Sequence, residues 1–321
     1  MPVNNKLSVI EPGYDDIPKN SLRRMGKSVR IGMGVALAVI KQVPVFNGII
    51  IGTGNGGMED SIIFLKQVVE YNEGLLTPAH FVQSTSNAVA SQLSLASVNR
   101  GYNITHVHRG LAFEMAAIDA AMRLLENPEH CFLLGGVDEI SGYNYRLEYL
   151  DGWYKKEDAL IEDLYNTNTP GTIAGEGAVA MMVSNEKENA AARVLSIVTL
   201  HSSDPIEVQQ HLLDFLEQHN GLDISLLLSG ENGDNRTLHF YENAEKLIKN
   251  GIPVARFKHM CGEYPTASSF ALWLACKLIA GEPLPAHMLK KGDPRAAHKN
   301  ILIYNCHKNL QHSFIFVSAA D

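Results

Sequence analysis

Residues 103–111, NITHVHRGL, could present chemistry at a sharp turn. A short alternating segment, Ile104, His106 and His108, runs through Arg109-Gly110 into an apolar helix. Several enzyme folds hold a nucleophile at such a strand-to-helix turn, where backbone N–H groups and the helix dipole face developing negative charge. Here the residue at the tip is Gly110, which has no side chain to attack with. His106 and His108 stand two apart on one strand face and are conceivable metal ligands, but no carboxylate or cysteine cluster completes a set. We read them as lining a buried interface. Cys261, near His259 in KHMCGEYP, is either a nucleophile or a buried structural thiol; nothing else in that stretch resembles an activating environment. Gly52-Thr53-Gly54-Asn55-Gly56-Gly57 fits GxGxxG after a strand. A dinucleotide site needs a second strand ending in an acid about 20 residues on, and that strand is missing. The motif reads as a tight turn serving close packing. No GxSxG or HExxH occurs.

The elements that must position these residues follow from periodicity. Residues 112–125 are apolar or small on nearly every side, which places that helix inside a domain. Before it come a helix at 28–42, a buried strand in NGIIIGTGNGG, a helix from Glu59 to about Tyr71 with Ile62, Ile63, Leu65, Val68 and Val69 inward, and a helix at 86–98. After it, 131–141 is a buried strand, 142–170 a long excursion without clear period, and 172–185 a glycine turn entering another strand. EKENAAA at 186–192 is the boundary candidate. A strand at 193–202, a helix at 206–218, strands at 224–229 and 252–257 around a helix at 239–249, an apolar helix at 266–279 and a closing hairpin (300–306, 312–319) repeat the rhythm. Strands alternating with helices indicate an α/β protein with mixed sheets covered by helices.

Composition excludes several classes. A net charge of −8 gives no electrostatic reason to bind nucleic acid or an anionic membrane. No apolar stretch reaches the roughly 18–20 residues that span a bilayer, and the N-terminus lacks the pattern of a signal peptide. The four cysteines, Cys131, Cys261, Cys276 and Cys306, form no CxxC pair. We expect a cytoplasmic protein with reduced thiols and no metal.

In order and spacing, a further set of segments resembles the β-ketoacyl synthases of the thiolase-like superfamily. These are Phe81-Val82 with Ser84-Thr85-Ser86-Asn87, Arg100-Gly101-Tyr102-Asn103-Ile104, Leu134-Gly135-Gly136-Val137-Asp138-Glu139, Gly175-Glu176-Gly177-Ala178, and Lys258-His259-Met260-Cys261-Gly262-Glu263. The resemblance implies a thiolase-like fold of two similar halves, 1–190 and 191–321, each with a mixed β-sheet, layered α-β-α-β-α. Active members carry a cysteine nucleophile and two histidines. In register from Arg100, the cysteine position falls on Gly110, the first histidine on or beside Ser229, and the second on Glu263; the lysine is kept as Lys258. A glycine-rich closing loop is replaced by Cys306-His307-Lys308-Asn309-Leu310-Gln311. The chain is also short for the family, so loops over the pocket are expected to be trimmed.

This pattern is similar to a chain-length factor, a ketosynthase-like subunit without condensing activity. It implies pairing with an active ketosynthase, service by an acyl carrier protein, no cofactor, and a place in polyene, polyketide or fatty-acyl biosynthesis of the aryl-polyene or flexirubin type. The strand 103–108, with His106 and His108, would pair antiparallel with its counterpart in the partner. Leu111, Phe113, Glu114 and Ala117 would meet the acyl tunnel, with Phe113 as the largest plug. The alternatives are an acyltransferase or decarboxylase using another nucleophile such as Cys261, and a homodimeric acyl-binding scaffold.

Overall fold

A computed structural model of the chain describes residues 5–249, 251–293 and 298–320. Two sheets carry the fold. The first has the order Tyr102–His106, Gly48–Gly52, Cys131–Asp138, Gly177–Ser184; its first three strands are parallel and the last antiparallel. The second has the order Leu289–Lys291, Val254–Arg256, Leu226–Ser229, Asn300–His307, Gln311–Ser318, Arg193–His201. The loop 185–192 separates the last strand of the first sheet from the first strand of the second.

Two helices, Ala112–Glu126 and Ala267–Ile279, lie between the sheets and touch strands of both. Helices Lys27–Ile40 and Ala88–Ser97 cover the outer face of the first sheet. Helix Pro205–Gln218 covers the outer face of the second and packs on Leu238–Leu247. The layers are therefore α-β-α-β-α, as in the thiolase-like fold. Small residues let the middle layer sit close. A Cβ on Gly52 would lie 2.6 Å from the Ala112 carbonyl oxygen, and one on Gly136 would meet Ser269 at 2.7 Å. Alanines 112, 116, 117 and 120 face the same tight seam, all buried.

The middle-layer helix is not apolar in burial all the way round. Its first turns are enclosed, but Met122 and Leu125 are exposed near its end, where Arg123 pairs with Asp119 and Glu126. The inward assignment of Leu65 and Val69 also fails: both are exposed. Their helix, Met58–Glu70, packs on the short helix Pro78–Gln83 rather than on a sheet, so only part of its apolar surface finds cover. The excursion at 142–170 contains a helix, Gly142–Leu150, whose start is capped by the Ser141 hydroxyl accepting from the Asn144 N–H.

Asp138, at the end of its strand and 1% exposed, ties the glycine turn of the first sheet to the second middle-layer helix. One carboxylate oxygen accepts from Thr53 Oγ1 and the N–H groups of Gly54 and Asn55; the other accepts from the N–H and Oγ1 of Thr266, just before the second middle-layer helix. The N–H groups of Gly54 and Asn55 are thus spent on Asp138 rather than offered to a phosphate, and Gly54 abuts Pro265. Asp138→Ala would strand these donors, and bonds to a charged acceptor are each worth about 1.5–3 kcal/mol. The expected outcome is a loss of at least about 3 kcal/mol in urea unfolding, with the slope of the transition unchanged.

Candidate functional site

The strand pair Asn300–His307 and Gln311–Ser318 sets up the site through its register. Side chains alternate between faces. Ile301, Ile303, Ile315 and Val317 point to the middle layer, whereas Leu302, Tyr304, Cys306, Phe314 and Phe316 point to the outer helices. Continuing that alternation, the directly opposed pairs Asn305–Ser313 and His307–Gln311 share the middle-layer face. A turn with Lys308 and Asn309 in the left-handed region (φ 54° and 58°) closes the pair.

His307 and Gln311 meet Gly110 there. Gly110 is buried in a single 3₁₀ turn, Arg109–Leu111, ahead of the central helix. The Gly110 N–H donates to Gln311 Oε1 at 2.9 Å, and Gln311 Nε2 donates to the His108 carbonyl. A Cβ on Gly110 would lie 2.3 Å from both Cβ and Cγ of His307. The volume of a side chain at 110 is filled by an imidazole, and the N–H that could stabilise an oxyanion is already bonded.

Beside His307 lies Glu263. Its Oε1 accepts from Lys258 Nζ at 2.6 Å and its Oε2 from Asn232 Nδ2 at 2.8 Å. His307 Nδ1 is 3.6 Å from Glu263 Oε1 and has no hydrogen-bond partner. Burial alone would raise the Glu263 pKa, but the Lys258 charge and His307 outweigh it and hold the carboxyl at about 2. Lys258 is wholly enclosed. The charges at 258 and 263 therefore cancel locally, and the Lys258 ammonium is not left over for a developing oxyanion. The backbone fixes Glu263 as well: its N–H donates to the Ile173 carbonyl, and its own carbonyl accepts from the Gly175 N–H.

A cavity of about 310 Å³ opens beside this cluster, bordered by Glu263, His307, Asn232, Asp234, Arg109 and Trp153, among others. The structure thus brings together Gly110, Lys258 and Glu263. Ser229 does not border the cavity; it sits at the end of its strand, 1% exposed, with Oγ accepting from the Glu231 N–H. Asn232 is the residue of SGENGD that reaches Glu263. Sequence reading missed His307, Gln311 and Asn232 as site residues; the replaced closing loop at 306–311 was the signal that pointed to the first two.

The remaining positions fall elsewhere. His106 Nε2 lies 3.0 Å from Asp119, on a half-buried edge strand. His108 is exposed and lies past the strand, which ends at His106, so the two do not share a strand face. Leu111, Phe113, Glu114 and Ala117 are all buried, and none borders the cavity. Phe113 is enclosed by the chain's own core. Glu114 accepts from Ser313 Oγ at 2.7 Å, and burial raises its pKa. Burial also pushes the Cys261 thiol up to about 12. His259 is no base for it, because its ring nitrogens are taken by Tyr165 at 3.1 Å and His287 at 2.8 Å. Among the described residues no group of three or more His, Cys, Asp or Glu is placed to hold a metal ion, and no helix is long and apolar enough to cross a membrane.

Two outcomes test this geometry. Gly110→Ala forces an overpacked contact with His307 and should cost about 1–3 kcal/mol; adding His307→Ala should recover most of it in a double-mutant cycle. Glu263→Gln strands a buried ammonium and should cost about 3–5 kcal/mol near neutral pH. Because the folded pKa of Glu263 lies below its unfolded value of 4.5, its contribution is present above about pH 4.5 and is lost as pH falls towards 2. The loss of stability on acidification across that window should be smaller in Glu263→Gln, measured by urea midpoints at each pH.

The sequence matches no family model and no curated protein. Its structure does have close likenesses among solved ones. A type II polyketide synthase acyl-carrier protein in complex with its ketosynthase bound to the hexaketide matches at TM-score 0.76 and 15% identity, over 98% of this chain and 90% of the other. A β-ketoacyl synthase from Burkholderia phymatum STM815 gives 0.76 and 14%, over 97% and 86%. The ishigamide ketosynthase/chain length factor gives 0.74 and 13%, over 94% and 84%. The chain has the thiolase-like fold of the ketosynthases, over nearly its whole length.

Proposed function

We propose that this chain is a non-catalytic, ketosynthase-like subunit of the chain-length-factor type, built of two thiolase-like halves, 1–190 and 191–321. It pairs with an active β-ketoacyl synthase and helps to shape the acyl tunnel. The observation that carries this reading is the filled nucleophile position: Gly110 offers no thiol, His307 occupies the space, and Gln311 holds the backbone N–H. Condensation requires a covalent acyl thioester and an oxyanion site, and this arrangement supplies neither. Cys261 does not rescue catalysis, since its thiol stays protonated and buried.

Support for pairing comes from the edge strand Tyr102–His106. Among the described residues it is hydrogen-bonded on one side only, and all five of its residues are half-buried. The helices packed against it expose Leu95, Met122 and Leu125, with Val98 and Val107 nearby. An unpaired strand edge flanked by apolar side chains is a template for a partner strand. An acyl carrier protein, delivering chains of the polyketide or fatty-acyl class, would be met through the complex. A homodimeric acyl-binding scaffold would use the same edge, and the partner experiment separates the two.

The purified chain, incubated with an acyl-loaded acyl carrier protein, should show no mass increase on any cysteine and form no condensation product. Mixed with an active ketosynthase from the same organism, it should give a heterodimer by light scattering, and the pair should extend acyl chains. An acyl adduct on this chain would overturn the non-catalytic reading. A stable homodimer that ignores the ketosynthase would overturn the pairing.

A further inference from the structure

The cavity beside the filled nucleophile position holds charges that the chain itself leaves unmatched. Three acids border it with a cation each: Glu148 with Lys308, Asp234 with Arg236, and Glu263 with Lys258. Two groups break the pattern. The Arg109 guanidinium has no hydrogen bond or ion pair with any described residue. It also sits in the left-handed backbone region, φ 47°, which a long side chain rarely adopts. Strain of this kind persists where the surroundings over-determine it and clusters at ligand sites. Glu139 is the other: 7% exposed, with Oε2 accepting from the Ser28 N–H and Oε1 without a partner. Burial raises its pKa to about 7, helped by Asp60, Glu59 and Glu176 and opposed by the Ser28 bond.

A buried acceptor left open costs free energy unless something fills it, and an exposed guanidinium at the cavity mouth is free to meet an anion. His307 Nδ1, also buried and unpartnered, borders the same space. The walls add shape. Trp153, Tyr145 and Tyr154 line the cavity, and the two tyrosine rings stack at 5.0 Å and 11°. Flat aromatic walls favour a flat ligand. At about 310 Å³ the space is at the lower end of small-molecule pockets.

We propose that this cavity binds a small, flat carboxylic acid bearing a hydrogen-bond donor, with the carboxylate on Arg109 and the donor on Glu139. The site works without covalent chemistry and does not depend on the pairing proposed above, so it is tested on the chain alone. An occupant there would stabilise the folded chain in proportion to its concentration.

The probes are benzoate, its neutral isostere benzamide, and 3-hydroxybenzoate, titrated by calorimetry and by fluorescence of Trp153 in a Trp273→Phe background. A charge-assisted contact to guanidinium should make benzoate bind about tenfold more tightly than benzamide. Arg109→Gln should erase that preference. Arg109→Gly should erase it too while raising the thermal midpoint, because glycine takes the left-handed backbone without strain. 3-Hydroxybenzoate should exceed benzoate in the wild type, and Glu139→Leu should abolish that advantage. Equal affinity for benzoate and benzamide, an unchanged preference in Arg109→Gln, or no saturable binding of either acid overturns the proposal. The Arg109 variants alter an exposed side chain without bonds, so they keep the test decisive whatever the Glu139 substitution does to folding.

Discussion

The Asp138 carboxylate is the joint on which the arrangement depends. It is buried, belongs to the first sheet, and receives donors from two directions: the turn after Gly52 and the residue that starts the second middle-layer helix. Three of the five donors are backbone N–H groups, of Gly54, Asn55 and Thr266, that a tight turn and a helix start would otherwise leave open. By satisfying them with one charged acceptor the chain fixes the start of the second middle-layer helix against the first sheet. Residues 258–266 then have little freedom. Glu263 is held by Ile173 and Gly175 on one side and by the Thr266–Asp138 bonds three residues later on the other. The position of the Glu263 carboxylate in the site is a consequence of this clamp.

With that frame set, the site is closed from within. Lys258 in a buried setting needs a counter-charge, and Glu263 provides it. Gly110 has no side chain, and His307 takes the space. A free N–H at the turn needs an acceptor, and Gln311 supplies one. Each feature that an acyl-transfer centre leaves available to its substrate is here met by a residue of the chain. The departures are mutually compatible, as expected of a sequence in which local choices agree with the overall structure.

Much of the architecture was legible because the signals were periodic and long. The α/β alternation, the closing hairpin and the enclosed start of the helix after Gly110 all follow from apolar spacing. Burial of individual side chains was less so: Leu65 and Val69 have the right spacing but lack a sheet to face, which depends on where the chain places its helices. At the site, Gly110, Glu263 and Lys258 could be located by register with a known pattern. Ser229 could not stand for the residue that reaches Glu263, because SGENGD leaves its strand after Ser229 and it is Asn232 that turns inward. His307 and Gln311 are joined to Gly110 across about 200 residues of sequence, and no local motif encodes a contact at that separation.

The hairpin that carries His307 and Gln311 gives the closure an all-or-nothing character. The two residues oppose each other across the strand ends and so share one face, in a register that the intervening turn closes. Side-chain direction reverses with every residue along a strand. A change in the turn at 308–310 that slipped one strand by one residue would therefore rotate one of them away from Gly110 and towards the outer helices. The imidazole that fills the space beside Gly110 and the amide that occupies its N–H would no longer act together. A single short turn thus works as a latch for the whole site, and its left-handed pair, Lys308 and Asn309, is the hinge pin.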